Sequence, residues 1–193
     1  MTSIAVVVQA PKRPPQLDQQ RLQTLVRGPL TINQAISGEI VVSSQRDQIE
    51  AVAAGNKLNV KDMSGKIERI GDNQVPAVLK CLLEGFATPV SAYGINFQLT
   101  VLRAEPTKWL QDHILSTEIA QKTKKPVTAA SVTLTLQSPP KTWNITLKVD
   151  KQGIAVDFNA HQEASELPDE NELKQQMGRQ YVELTDFLNQ LGL

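Results

Sequence analysis

The chain has 193 residues, of which 40% are hydrophobic, 21% charged and 4% aromatic, and its 20 basic and 20 acidic side chains cancel. With no excess positive charge to attract a polyanion, a nucleic-acid partner is not expected. The length suits a single α+β domain over residues 1–193, divisible at most into sub-halves 1–104 and 105–193, and the lone Cys81 excludes an internal disulfide.

Ile4 to Val8 is an unbroken apolar run that reads as a strand. It is too short for the core of a signal peptide, and no stretch reaches the roughly 18 apolar residues of a membrane helix. A soluble cytoplasmic protein with no membrane partner is the expectation. Pro11, Pro14 and Pro15 end the strand, because proline cannot donate to a ladder. Residues 18–27 predict a short helix: Asp18 suits an N-cap, Leu22, Leu25 and Val26 share a face, and Gly28-Pro29 stops it. Residues 30–36 and 39–43 read as further strands around Gly38.

Across 47–62, Ile49, Ala51 and Ala53 alternate before Gly55-Asn56, and Leu58 and Val60 alternate after it. This predicts a hairpin, since a Gly-Asn pair accommodates the positive φ of a tight turn. A helix over 47–54 is the competing reading, because alanine favours helix. Residues 72–86 carry Val75, Val78, Leu79, Leu82, Leu83 and Phe86 at helical spacing, with Pro76 in the first turn and Gly85 near the end. This helix is expected to pack on the strand that follows it.

That strand, 90–104, alternates strictly. Tyr93, Ile95, Phe97, Leu99 and Val101 fall on one face, and Ala92, Gly94, Asn96, Gln98 and Thr100 on the other. It predicts the long central strand of an antiparallel sheet, with Gly94 marking a bulge or a close backbone approach. A second helix is predicted over 106–121 and a basic linker over 122–126. Residues 128–161 then read as a three-stranded antiparallel meander with one dry face and one wet face. A long helix, 169–191, closes the chain. Its Asp169 and Glu172 form a capping pattern, and Gly178 marks a close neighbour. No repeat recurs at a fixed period. Strands grouped in runs argue for α+β with a mainly antiparallel sheet covered by helices on one face.

The chemistry-bearing inventory is thin. There are two histidines, His113 and His161, and neither phosphate-binding glycine loops nor a nucleophile elbow occur. Cys81 flanks an apolar helical stripe and reads as a small buried thiol. No cofactor, metal or catalytic residue is assigned. The candidate partner-binding face is Ala92, Gly94, Asn96 and Gln98, a strip of small and amide side chains. The functional expectation is a non-enzymatic interaction or structural module that self-associates or binds a protein through a sheet edge or face. The alternative is an enzyme or small-ligand carrier with a carboxylate or histidine site near Asp157 or His161.

Overall fold

The computed structural model describes residues 1–9, 16–36, 38–66, 73–86, 88–114, 129–149 and 152–193. Among the described residues nine strands form one antiparallel sheet: β1 (Thr2–Val8), β2 (Leu30–Gln34), β3 (Ile40–Ser44), β4 (Ile49–Ala54), β5 (Lys57–Asp62), β6 (Val90–Val101), β7 (Ala130–Ser138), β8 (Lys141–Val149) and β9 (Ile154–Glu163). Their spatial order is β2-β3-β4-β5-β1-β6-β9-β8-β7. The helices among the described residues, α1 (Gln19–Leu25), α2 (Val75–Phe86), α3 (Pro106–His113) and α4 (Glu170–Gln190), pack mainly on one face. The fold is therefore α+β, with the C-terminal meander and the long central strand where the alternation places them.

The element order repeats in topology. A strand, a helix, a meander and a second helix (β1, α1, β2–β5, α2) are followed by the same series (β6, α3, β7–β9, α4). In each series the last meander strand returns to pair with the opening strand, β5 with β1 and β9 with β6. The two opening strands pair with each other at the centre of the sheet. One series has four meander strands and the other three, so no fixed sequence period marks the repeat.

Alternation decides which side chains meet the helices. One row across the sheet runs Val42, Ala51, Val60, Ile4, Ile95 and Ala160, and each of these is buried. Phe97 pairs with Phe158 in the neighbouring row, with ring centroids 5.8 Å apart, and Tyr181 of α4 meets Phe97 edge-on at 5.6 Å. Each such large apolar side chain contributes roughly 1.5–3 kcal/mol by leaving water. Because aromatics are few, the core around this small aromatic group is built mainly of Val, Ile, Leu and Ala.

The hairpin reading of 47–62 holds: β4 and β5 flank Gly55, whose φ is +59°. Asp18 caps α1 by accepting from the Arg21 amide at 2.9 Å, and Asp169 caps α4 by accepting from the Glu172 amide at 2.9 Å. The Val75 amide at the start of α2 is met by Asn73 Oδ1 at 2.7 Å.

Several expectations are corrected. α2 lies chiefly over β5 and β1 rather than over β6, because β1 inserts between the hairpin and the central strand. β6 ends at Val101, and Leu102 beyond it is exposed. Gly94 carries no bulge; the register shift lies at Val7/Val8 of β1. Gly85 stands near the end of α2 as expected, and its missing side chain lets the carbonyl of Gln16 lie against the helix, while the Gln16 amide donates to the Gly85 carbonyl at 3.0 Å. Gly178 marks no close neighbour among the described residues, since a methyl built there meets none of them within 4 Å. α3 is described to His113; the rest of the helix predicted to 121, and the linker 122–126, lie outside the described residues. Among the described residues no helix is long and apolar enough to cross a membrane.

Candidate functional site

The sheet face away from the helices is built from the polar half of each strand's alternation. Ala92, Gly94, Asn96 and Gln98 all lie on it, along β6. Across β6 they face Val7, Ala5 and Ser3 of β1 on one side and Glu163, His161, Asn159 and Asp157 of β9 on the other. Ala92 is 8% exposed and Ser3 3%, whereas Gln98 is open to solvent. The floor at the sheet centre is thus made of small side chains flanked by taller amides.

One row links the strands through side chains. Thr135 Oγ1 donates to Asn144 Oδ1 at 3.0 Å, and Asn144 pairs in register with Asn159. Asn159 Nδ2 donates to Asn96 Oδ1 at 2.6 Å, and Asn96 Nδ2 donates to Ser3 Oγ at 3.3 Å. The row ends in a Lys61–Glu50 ion pair at 3.2 Å. A methyl built on Gly94 would lie 2.7 Å from Asn159 Nδ2. Gly94 therefore serves the close approach expected of it, to a side chain rather than to a backbone.

The residues of the alternative reading, Asp157 and His161, both lie on β9. Asp157 is paired with Lys148 at 2.6 Å, and His161 stands in register between Thr142 and Gly94. His113 stacks on Trp109 and hydrogen-bonds the Trp109 carbonyl at 3.0 Å through Nδ1. Cys81 is buried in α2, and burial pushes its thiol up against the pull of Arg21. Among the described residues no group of three or more His, Cys, Asp or Glu could hold a metal ion.

On the helix face, Tyr93 Oη donates to Gln176 Oε1 at 2.9 Å, and Gln176 Nε2 donates to Glu172 Oε1 at 3.0 Å. Burial raises the Tyr93 phenol. Hydrogen bonds from Gln176 and Arg179 hold the Glu172 carboxyl below its ordinary range. Both Gln176 and Gln180 are buried, and helical spacing alone does not reveal this, because they sit beside the stripe of Leu173, Met177 and Leu184. Beyond these lies a polar cleft of about 620 Å³, lined in part by Arg46, Asp47, Asp62, Lys66 and Lys174. Asp62 is already engaged there by Asn73 Nδ2 at 2.9 Å and by the Ser64 amide at 2.8 Å.

The two edges of the sheet differ. β2 has five residues and starts directly after Pro29, which keeps it short. β7 has nine residues, Ala-Ser-Val-Thr-Leu-Thr-Leu-Gln-Ser, with no charge, no proline and an unbroken register to β8. On its helix side Val132, Leu134 and Leu136 remain half-exposed, while Leu147 and Ile145, which face the first two, are fully buried. Natural edge strands are normally kept short, charged, kinked or covered. Among the described residues β7 carries none of these protections. The sequence supplied the signal, an uncharged alternating run, but pairing order was needed to show that this run is an edge.

No protein-family model matches the chain, and no curated protein sequence matches it.

Proposed function

We propose that the chain is a non-enzymatic interaction module that engages a protein partner by strand addition at the β7 edge, with the adjoining Ser/Thr/Asn face aligning the partner. The β7 edge carries this reading. A nine-residue uncharged edge offers a row of main-chain donors and acceptors, and its alternate side chains, Val132, Leu134 and Leu136 against Thr133 and Thr135, supply two chemically distinct sides. The partner in this reading is a protein rather than a nucleic acid, because the chain is neutral overall and its open face mixes Lys61 and Lys148 with Glu50 and Asp157. The setting in this reading is the cytoplasm, in keeping with a single buried thiol.

The test compares affinity capture from source-cell lysate by the unmodified chain and by a Leu134→Lys variant, with circular dichroism as the folding control. A stoichiometric protein retained by the first and lost by the second, or self-capture lost in the same way, supports the reading. A partner held equally by both variants, or no protein held by either, overturns it.

A further inference from the structure

We propose that the occupant of the β7 edge is the β7 edge of a second copy, paired antiparallel about a two-fold axis at Leu134. This rests on the strand-addition reading above and specifies its partner and register.

The β7 sequence is self-complementary. A two-fold axis demands that the same strand read sensibly against its own reverse. With Leu134 opposite its copy, Val132 faces Leu136, Thr133 faces Thr135, and Ser131 faces Gln137. From Ser131 to Gln137 every apolar side chain meets an apolar one and every polar side chain a polar one; at the ends Ala130 faces Ser138, and no charge opposes a like charge anywhere in the nine residues. A one-residue slip would instead oppose leucine to threonine and turn the two sheets' faces against each other.

The rows already present in the sheet continue across this axis. On the open face, Thr133 is hydrogen-bonded to Thr146 at 3.0 Å and Thr135 to Asn144 at 3.0 Å. The paired copies would join these into one hydroxyl and amide row running Asn144, Thr135, Thr133, Thr146. On the helix side, Leu134, which stands beside Ile145, would meet its own copy, which removes the half-exposed Leu134 from water. Leu136 beside Trp143 would meet Val132 beside Leu147. The dimer would carry one continuous eighteen-stranded sheet, twice the nine of one chain. β2 offers no equivalent, since its five residues support a shorter ladder and Pro29 precedes it.

The experiment reads both association and register. Sedimentation of the full chain is followed from about 1 µM to about 1 mM. Single cysteines are placed at Leu134 or at Thr133, with the native Cys81 changed to serine, and each variant is oxidised mildly. The expected results are a reversible dimer, at least about 100-fold weakened by Leu134→Lys because two ammonium groups would then stand opposite each other. Leu134→Cys should form a covalent dimer. Thr133→Cys alone should not, because positions 133 and 133 of the two copies lie on a diagonal beyond the roughly 7 Å that a disulfide spans. Circular dichroism of each variant separates loss of pairing from loss of fold. A chain that stays monomeric over the whole range overturns the proposal. So does a dimer that links through Thr133 and not through Leu134, or one that Leu134→Lys leaves intact. A monomer that still captures a different protein in a Leu134-dependent way overturns only the self-pairing and leaves strand addition standing.

Discussion

Asn159 donates from Nδ2 to the side-chain carbonyl of Asn96 at 2.6 Å, in the space that a side chain on Gly94 would fill. Asn96 and Asn159 are register partners, and His161 is the partner of Gly94, so the Asn159 amide leans along its strand over the glycine. Three positions that alternation alone marks merely as "polar face" are thus one coupled arrangement.

Gly94→Ala should destabilise the protein by about 1 kcal/mol, the net value of a hydrogen bond that the displaced Asn159 can no longer make well. Asn159→Ala should cost a similar amount. The double variant should cost clearly less than the sum, since both changes break one contact. Urea unfolding of the four-protein cycle measures this; strict additivity would show that glycine and amide act independently.

The two helical glycines should respond in opposite directions. Gly178→Ala in α4 should stabilise by about 0.5–1 kcal/mol, because the new methyl meets nothing and alanine costs less order in a helix. Gly85→Ala in α2 should destabilise by about 1–3 kcal/mol, because the methyl would strike the backbone carbonyl of Gln16, which has no rotamer to yield. Thermal unfolding of both variants checks the pair, and a loss at 178 or a gain at 85 would contradict it.

Stability should fall at alkaline pH in a way that depends on Tyr93. Burial raises its folded-state value above the ordinary 10.0. The unfolded chain therefore releases that proton first, so the tyrosine's contribution is complete below pH 10.0 and is lost as pH rises from there through the raised folded value. Tyr93→Phe should flatten this part of the stability-pH curve. It should also cost about 1–2 kcal/mol at neutral pH, because Gln176 would keep a buried acceptor without a donor. Denaturant unfolding across this range compares the two proteins, and identical alkaline slopes would refute the assignment.

At the acid end Glu172 has the opposite sign. Its folded-state value is depressed by Gln176 and Arg179, so its contribution is present above the ordinary carboxylate value of 4.5 and is lost as pH falls through the depressed one. Glu172→Gln should reduce the acid dependence of unfolding while leaving the Asp169 cap of α4 in place. An unchanged acid limb would contradict this.

Features set by local physics are legible in the amino-acid sequence. A period of two placed Tyr93, Ile95 and Phe97 on the dry side of β6 and Asn96 on the other, because successive side chains leave a strand on opposite faces. Asp18 and Asp169 announced two helix starts, and Gly55 announced a hairpin, because caps and tight turns are satisfied within a few residues. Features that depend on partners far apart in the chain emerge only in the folded sheet. Asn96 reaches Ser3 across 93 positions, and amphipathic alternation says which face a strand buries but not which strand lies beside it. The insertion of β1 between β5 and β6, the burial of Gln176 and Gln180, and the contact between Gly85 and Gln16 all follow from that long-range pairing. So does the status of β7: its uncharged alternation is legible in the sequence, but an edge is defined by what stands beside it, and that is settled only when the whole sheet closes.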